Sequence, residues 1–409
     1  RLGRGSYAEP NLRATQIELF DGLYAESQNR MPSLRFDIGG INSIFGRFFP
    51  AGFYYKTFMW PASMWKRYEH VIRHAAGLGK AADKHRDPDR YEKIHAHCEV
   101  LIAGGGASGL FAALQAAIGG SRVIVADEQS EFGGWLLCEQ NIKIDGHTAE
   151  DWIKRILIQL KEHPNVTLLT RSTVTAYMDH NFLTVIERVT DHLSERPAHL
   201  PRQRLWKIRA KNVIIAQGAH ERPLVFSGND LPGVMLSNAV RTYLNRYAVL
   251  PGVRTIVFTN NDDAYHTALT LKSVGAEVMI VDLRKNPRSP LINAAHDANI
   301  EILKGCAIIS AFGARRVSRV EIAPVDQNIK NVTGDILHRD CDLIAMSGGL
   351  SPAVHLHSQA GGKLQWDEKK LCFCPAKINI ASSNIGACNG SFDLSIAFRE
   401  AVRAGRRAT

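Results

Sequence analysis

The sequence predicts an α/β fold in which strand, helix and strand follow one another twice along the chain. The first observation is the stretch Cys98 to Leu110 (CEVLIAGGGASGL), where an apolar run leads through glycines into a helix-forming segment. The second is a similar alternation that begins at Arg254. The third is the length of 409 residues with 45% hydrophobic residues, which is enough for two or three domains with buried cores.

Each predicted element follows from periodicity and from turn residues. Short apolar runs predict buried strands, an alanine-rich segment predicts the first helix, and Gly119 with Gly120 ends that helix. The predicted strands are Glu99–Ala103, Arg122–Ala126, Asn212–Ala216, Thr255–Phe258, Glu277–Val281 and Ile378–Ala381, and the predicted helices are Ser108–Ile118, Asp263–Val274 and Leu394–Ala404.

The order of these elements predicts one dinucleotide-binding domain interrupted by another. Residues 98–225 and 350–409 form the predicted nucleotide domain, and residues 226–349 form an inserted second Rossmann-like domain. Residues 1–97 precede both and are rich in aromatic side chains, with the run AGFYYKTFMWPASMW (Ala51 to Trp65). This N-terminal segment is a candidate subunit interface, although ordinary core packing explains it as well. The charged stretch Lys80 to Arg90 is typical of a linker.

The charge composition argues against nucleic acid as a partner. The formal net charge is +10, from 50 lysines and arginines against 40 aspartates and glutamates, but the basic residues are scattered among acidic ones. The densest basic runs, residues 284–288 and 403–407, are short and contain no aromatic residues, as is typical of a solvated surface. No segment approaches the roughly 18 apolar residues of a membrane span, so no membrane association is expected.

The seven cysteines indicate a reducing compartment, because their number is odd and their spacing uneven. Cys372 and Cys374 form a close pair, but the second pair that a zinc site needs is missing. His355 and His357 lie two residues apart on an expected strand, without a third ligand or a nearby acid. We therefore expect a cytoplasmic protein without a metal site. The sequence also presents no catalytic set of residues.

Three glycines mark the first nucleotide turn. Gly104, Gly106 and Gly109 supply the pattern G-x-G-x-x-G between strand and helix. The first permits a tight turn, the second lets the backbone approach a pyrophosphate, and the third lets helix and strand pack closely. The helix N-terminus, including the backbone of Ser108, would then face the phosphates. Asp127 lies 18 residues after Gly109, where a carboxylate accepts hydrogen bonds from a ribose diol.

The residues after the second strand bear on the identity of the cofactor. Asp127 and Glu128 would place two carboxylates beside a 2′-phosphate, and Gln129 follows them instead of an arginine. A phosphorylated nicotinamide cofactor is therefore disfavoured, while NAD and FAD both remain open. Gly134 and Trp135 lie in the next turn, which is either a backbone segment folded over the phosphates or an ordinary loop.

The second turn has lost its glycines. Thr259, Asn260 and Asn261 stand where backbone would have to approach a phosphate, and Asp262 and Asp263 follow at the start of the helix. Two carboxylates at this position repel phosphate and suit helix capping. We expect that this inserted domain keeps the nucleotide fold but no longer binds a dinucleotide.

Long, unusual stretches of the chain are similar to one known family. They include EPNLRATQIELFDGL (Glu9 to Leu23), GNDLPGVMLSNAVRTYLNRYAVLPG (Gly228 to Gly252) and SPAVHLHSQAGGKLQWDE (Ser351 to Glu368). With these stretches the chain resembles the alpha subunits of heterotetrameric sarcosine oxidases. The resemblance implies a fold of the flavoprotein disulfide reductase type, with two dinucleotide-binding domains. It also implies that alpha holds NAD, that a beta subunit carries FAD, and that FMN lies between alpha and beta, beside smaller gamma and delta subunits.

The resemblance further implies an activity: oxidative demethylation of sarcosine to glycine, with transfer of the one-carbon unit to tetrahydrofolate. In that family alpha continues into a folate-binding domain, so we expect this sequence, from Arg1 to Thr409, to be a fragment. Folate chemistry is not assigned to its residues. The base for amine oxidation is expected in the beta subunit, so that this chain would be non-catalytic by itself.

A late turn favours NAD over FAD. Flavoproteins of this architecture carry an aspartate in a Gly-Asp turn, and Ala387 occupies its place here. Alanine accepts no hydrogen bond, and a buried hydroxyl without a partner costs about 1 to 3 kcal/mol. The alternative that stays open is an FAD-binding subunit of an opine or amino-acid dehydrogenase or of a cyanide-forming complex.

Six further site residues follow from the resemblance. Val174 would meet the adenine edge, Ala387, Phe392 and Leu394 would close the nicotinamide side, and Ala216 and Gly218 would form a small-residue turn near the nucleotide. Each of them also fits plain core packing.

Overall fold

A computed structural model describes residues 2–4, 7–13, 17–28, 30–41, 52, 58–78, 87 and 89–409. The chain divides into two compact units, Arg1–Ile94 with Glu187–Leu205, and His95–Ile186 with Trp206–Thr409. Of the aromatic run, residues 51 and 53–57 lie outside the described residues. Of the expected linker, residues 80–86 and 88 also lie outside them.

The described part of the chain alternates short strands with helices. The helices are α1 Trp65–Ala75, α2 Ala107–Ile118, α3 Ala149–Glu162, α4 Ser237–Tyr247, α5 Asp263–Ser273, α6 Pro290–Asp297, α7 His355–Gln359 and α8 Leu394–Arg407. The first twelve strands are β1 Leu2–Arg4, β2 Tyr7–Glu9, β3 Tyr24–Ala25, β4 Tyr91–Ala103, β5 Val123–Ala126, β6 Lys143–Ile144, β7 His147–Thr148, β8 Val166–Leu169, β9 Ser172–Met178, β10 Phe182–Arg188, β11 Gln203–Ile215 and β12 Ala219–Glu221. The remaining strands are β13 Val234–Leu236, β14 Arg254–Thr259, β15 Glu277–Asp282, β16 Glu301–Lys304, β17 Cys306–Phe312, β18 Arg319–Pro324, β19 Leu337–Asp340, β20 Leu343–Ser347, β21 Leu350–Pro352, β22 Leu364–Asp367, β23 Cys372–Pro375 and β24 Ser382–Asn384. Among the described residues, no helix combines the length and apolar character needed to cross a membrane.

The first unit contains a small antiparallel sheet, in the order β2-β1-β3, and helix α1. Its 187–205 segment is held by arginine–carboxylate pairs. Arg202 donates to Asp191 at 2.6 Å and to Asp89 at 3.1 Å, and Arg196 donates to Asp89 at 2.7 Å. Two arginines that share one carboxylate tie residue 89 to this segment within the unit.

The main sheet of the second unit has the order β8-β5-β4-β11-β10-β9, and β24 pairs with β11. Strands β4, β5 and β8 run parallel, as do β11 and β24. All four residues of β5 are buried, because helices cover a parallel sheet of this kind and its strands become apolar throughout. Parallel strands joined through α2 are the Rossmann arrangement.

Several strand boundaries in this sheet differ from the prediction, and β11 begins at Gln203 instead of Asn212. Strand β4 begins at Tyr91 instead of Glu99. Residues 91–98 alternate between exposed and more buried positions, so their outward polar side chains conceal the strand from a search for apolar runs. The last strand is Ser382–Asn384 instead of Ile378–Ala381. Ile380 packs against the core from a bend, so the apolar run indicates burial there and not a strand.

A second parallel sheet lies between residues 234 and 347, in the order β13-β20-β14-β15-β16. Helices α4, α5 and α6 pack on it, and an antiparallel sheet β17-β18-β19 follows β16. Strands β12 and β21 pair antiparallel where the chain enters and leaves this region. The predicted α/β class with two Rossmann-like sheets is confirmed.

Candidate nucleotide-binding site

Two of the three glycines in the first turn are required by the packing of the chain itself. Gly104 has φ +108°, and a Cβ there would lie 2.3 Å from the carbonyl oxygen of Ala216. A Cβ on Gly109 would lie 1.9 Å from the carbonyl oxygen of Gly104. Both distances are far below van der Waals contact, so these glycines let strand β4 and helix α2 meet closely.

Gly106 differs from both. Its φ of −74° and ψ of −173° suit any residue, and a Cβ there would meet nothing closer than the Cα of Gly134 at 3.9 Å. Packing within the chain therefore does not require glycine at this position. Gly106 is also the N-cap of α2 and offers no side-chain hydrogen bond, whereas Asp393 caps α8. The first turn of α2, which includes Ser108, is left open to an anion.

Asp127 lies directly after β5 and faces the glycine turn. It is buried, and its two oxygens accept hydrogen bonds from the backbone N–H groups of Gly105 (2.6 Å) and Gln129 (2.8 Å). Burial raises the pKa of Asp127, while these two hydrogen bonds act to lower it. A carboxylate accepts about four hydrogen bonds, so Asp127 keeps capacity for a ribose diol.

Glu128 and Gln129 lie on the exposed side of the same turn. The structure also brings Arg171 to this edge, where its backbone N–H donates to the carbonyl oxygen of Gln129 at 2.8 Å. Arg171 arrives from the loop after β8 and is not a neighbour of Asp127 along the chain, so the sequence around Asp127 does not reveal it.

The segment after this turn folds back onto the glycines. The N–H of Gly133 donates to the carbonyl oxygen of Gly105 at 2.9 Å. A Cβ on Gly134 would lie 2.9 Å from the Cα of Gly106, so the two glycine backbones are in close contact. Trp135 follows and is partly exposed. Of the two interpretations left open by the sequence, this geometry favours a backbone segment folded over the phosphate position.

The small residues after β11 lie beside the same turn. The N–H of Ala216 donates to the carbonyl oxygen of Ala103 at 2.8 Å, next to Gly104. Gly218 has φ +76° and open space where its Cβ would be. Val174, on β9, instead packs with the apolar cluster that includes the strand ends Ala103 and Ala126.

The turn at residues 386–391 reaches the N-terminus of α2. A Cβ on Gly386 would lie 2.4 Å from Oγ of Ser108, which places Ala387 next in the chain after this contact. Phe392 is partly exposed, and Leu394 packs against the apolar cluster that contains α2. Site residues from the two ends of the second unit therefore meet at one helix terminus.

Glu400 of α8 fixes this turn and was missed by the sequence analysis. Its carboxylate accepts hydrogen bonds from the N–H of Gly386 (2.8 Å), Nδ2 of Asn389 (2.9 Å) and Oγ of Ser391 (2.6 Å). The only sequence signal is a glutamate on the helix after a Gly-rich turn. Neither its direction nor its partners follow from spacing.

The second turn is filled by the chain's own side chains. Asn261 donates through Nδ2 to the carbonyl oxygen of Ser347 (3.1 Å), and its Oδ1 accepts from the N–H of Asp263 (3.1 Å). Asp262 occupies the N-cap position of α5, as the prediction of capping aspartates requires, but its side chain makes no capping hydrogen bond. The side chain of Asn261 accepts that hydrogen bond instead. Asp262 instead pairs with Arg284 at 2.7 Å.

The acid at the end of β15 is also saturated. Asp282 is fully buried and accepts four hydrogen bonds, one from the hydroxyl of Tyr265 and three from Arg284. These four bonds use the whole capacity of a carboxylate. At the first turn, Asp127 accepts two from the described residues.

The two histidines considered for a metal do not share a strand. Both lie on helix α7, where His355 is exposed and His357 is buried. His357 hydrogen-bonds through Nε2 to the carbonyl oxygen of Lys363 (2.9 Å) and through Nδ1 to Asn384 (2.8 Å). The expectation of a strand was wrong, and His357 is a structural residue with both ring nitrogens occupied.

Comparison with known proteins agrees with this geometry. The chain is 43% identical over 400 residues to sarcosine oxidase subunit alpha of Rhizobium meliloti (strain 1021), covering 95% of this chain and 39% of that protein. It is 38% identical over 325 residues to sarcosine oxidase subunit alpha of Corynebacterium sp. (strain U-96), covering 79% of this chain and 33% of that protein. The predicted resemblance is confirmed, and the chain spans less than half the length of these relatives.

The fold has solved counterparts. Thioredoxin reductase of Lactococcus lactis superposes with a TM-score of 0.58 at 18% identity, covering 76% of this chain and 97% of that one. This confirms the flavoprotein disulfide reductase type of fold. Residues 98–371 match the family model described as pyridine nucleotide-disulphide oxidoreductase. The chain therefore belongs to the pyridine nucleotide-disulphide oxidoreductase family.

Proposed function

We propose that this chain holds NAD at the 104–109 turn and is the alpha subunit of a multi-subunit sarcosine oxidase. The observation that carries the proposal is Gly106, whose missing side chain serves no packing need of the protein and opens the N-terminus of α2 to a ligand. Family membership implies binding of FAD or NAD(P) in general.

The described residues fit a dinucleotide in two ways. The first N–H groups of α2, around Ser108, would bind the pyrophosphate, because a helix N-terminus without a side-chain cap favours an anion. Asp127 would accept hydrogen bonds from the adenosine ribose with the capacity that Gly105 and Gln129 leave. The chain's own contribution is to bind and orient the nucleotide.

Ala387 supports NAD over FAD. It lies in the turn that Glu400 fixes near the α2 N-terminus, where an aspartate would be needed to accept a hydrogen bond from a flavin hydroxyl. Val174 at the adenine edge, and Phe392 and Leu394 at the nicotinamide side, are part of the same proposal. We also retain the division into a nucleotide domain (98–225 and 350–409) and an inserted domain (226–349), which is supported by the separate sheet at residues 234–347.

The proposed complex demethylates sarcosine oxidatively to glycine in the cytoplasm and passes the one-carbon unit to tetrahydrofolate. The flavin chemistry belongs to a beta subunit with FAD, FMN lies at its interface with this chain, and gamma and delta complete the assembly. Similarity to sarcosine oxidase alpha subunits supports this assignment. The N-terminal segment would serve as a subunit interface, and Trp60, at 83% exposure, supports that role.

The test is to denature the purified chain and identify the released nucleotide by absorbance and mass. NAD alone supports the proposal. Released flavin would reject it in favour of the alternative, an FAD-binding subunit of an opine or amino-acid dehydrogenase or of a cyanide-forming complex. Asp127→Ala should abolish nucleotide retention, with Asp297→Ala, an exposed aspartate on α6, as the matched control. Unchanged retention in Asp127→Ala would place the nucleotide elsewhere.

A further inference from the structure

The segment that folds over the glycine turn is held from outside by helix α4. We call residues 131–139 the covering segment. Nδ2 of Asn245 donates to the carbonyl oxygen of Cys138 at 2.7 Å, and Oγ1 of Thr242 lies 3.3 Å from Sγ of Cys138. Arg246 pairs with Glu131 at 2.9 Å. The covering segment thus contacts the glycines on one side and α4 on the other.

Arg241 is the central contact of α4 with the covering segment. Its side chain is 1% exposed, and its guanidinium carbon lies 4.5 Å from the ring centre of Trp135. Nη2 of Arg241 is 3.4 Å from Oε1 of Glu139. A planar guanidinium that stacks on an aromatic ring and pairs with a carboxylate fixes both side chains in orientation.

Arg241 is itself held by the second turn. Its Nη2 donates to both carboxylate oxygens of Asp263, at 3.1 and 3.0 Å. Asp263 is the first residue of α5 and belongs to the turn that has lost its glycines. A continuous chain of contacts therefore runs from the second turn, through Arg241, to the covering segment and the first glycine turn.

The charged groups around Arg241 indicate that this residue positions its neighbours. Burial raises the pKa of Glu139 and raises the pKa of Glu221 to about 7, and Arg241 acts to lower the pKa of both carboxyls. Asp263, on α5, raises the pKa of both. One buried cation thus faces three carboxyl groups from different elements. A buried ion pair adds little net stability compared with apolar packing, whereas it holds its partners in one arrangement.

We propose that the second turn acts as a strut for the first. In this view Asp263 and Arg241 are positioning residues, and the Asp263–Arg241 pair holds the covering segment against Gly105 and Gly106 and so raises nucleotide affinity at the first turn. The effect on affinity rests on the proposed NAD binding. The effect on the covering segment does not rest on NAD binding, because the contacts of the segment with α4 and the glycine turn are formed without a nucleotide.

The test compares two neighbouring aspartates. Asp263→Ala removes one carboxylate partner of Arg241 and leaves Glu139. Asp262→Ala removes one carboxylate partner of Arg284, leaves Asp282, and does not change the pairing of Arg241. Backbone hydrogen exchange is measured on the full chain without nucleotide, at Gly133, Leu136 and Glu139. We expect about tenfold faster exchange in Asp263→Ala and a change below twofold in Asp262→Ala. We expect the Kd for NAD to rise about tenfold in Asp263→Ala alone, within the usual range of coupling between sites.

The outcomes separate the strut from the proposed function. Equal exchange in the two variants overturns the strut, as does a lower Tm of Asp263→Ala with unchanged exchange in the covering segment. If the unaltered chain binds no NAD, the proposed function fails, while the exchange comparison still decides the strut. Arg241→Lys keeps the charge but loses the planar stack on Trp135, so it should show an intermediate increase in exchange. Exchange in Arg241→Lys equal to that of the unaltered chain contradicts the orienting role of Arg241.

Discussion

Gly106→Ala separates nucleotide binding from folding. The backbone at residue 106 lies in a region that alanine adopts freely, and the added Cβ meets no protein atom closer than 3.9 Å. We therefore expect the free energy of unfolding to fall by no more than about 1 kcal/mol, the usual cost of alanine at a helix N-cap where no clash or cavity is created.

The effect on binding is expected to be large. The new methyl group stands in the space through which a pyrophosphate must approach the first N–H groups of α2. Hydrogen bonds from backbone N–H groups to a charged oxygen contribute about 1.5 to 3 kcal/mol each. Loss of one or two of them amounts to about 3 kcal/mol, which corresponds to a ~100-fold rise in the Kd for NAD.

Titration calorimetry gives the Kd, and thermal unfolding without nucleotide gives the stability. Gly40→Ala is the matched control, because a Cβ there meets nothing within 4 Å and lies far from the turn in sequence. Gly109→Ala provides the contrast: its Cβ would clash with the carbonyl oxygen of Gly104, so both stability and binding should fall. An NAD affinity of Gly106→Ala within threefold of the unaltered chain would refute the reasoning.

Two further predictions concern carboxylates that the sequence does not reveal. Glu400→Ala removes the acceptor of three hydrogen bonds and should lower the free energy of unfolding by about 3 kcal/mol. Glu400→Gln should lose less stability. Equal unfolding midpoints for Glu400→Ala and the unaltered chain would contradict this prediction. Burial raises the pKa of Glu221 from its ordinary 4.5 to about 7, so the folded state binds this proton more tightly and the protein loses stability as pH rises between these values. At about 1.4 kcal/mol per pKa unit the loss is about 3 kcal/mol, and Glu221→Gln should remove it; parallel stability profiles of both proteins from pH 4 to 8 would contradict this.

The first turn could be predicted from sequence because its determinants are local. A buried strand, three glycines and an alanine-rich helix follow one another without interruption, and the acid comes at the end of the next strand. Each residue acts through backbone geometry that its neighbours set. The sequence identified the turn that contains Gly134 but left its role open, because the contact between Gly134 and Gly106 joins residues that are distant in the chain.

Glu400 and Glu221 were missed because their hydrogen-bond partners are far away in the chain. Glu400 acts on Gly386 across a helix terminus, and Glu221 accepts a hydrogen bond from the N–H of Asn238. A single glutamate on a helix or a short strand carries no periodic signal. The same limit applies to the start of α5: asparagine and aspartate are equally good acceptors there, and only the geometry shows that the side chain of Asn261, and not that of the N-cap residue Asp262, accepts the hydrogen bond.

The two turns differ in glycine content and also in how the polar groups around them are hydrogen-bonded. In the inserted domain the side chain of Asn261 accepts the capping hydrogen bond of α5, and Asp282 accepts four hydrogen bonds from Tyr265 and Arg284. The strand-end acid has no capacity left for a ligand, and the first N–H group of α5 is already paired with Asn261. Glycines introduced at residues 259–261 would remove the cap but leave Asp282 saturated by Arg284. The expected loss of dinucleotide binding in the inserted domain therefore rests on both changes, and reversing the more visible one would not restore a ribose acceptor.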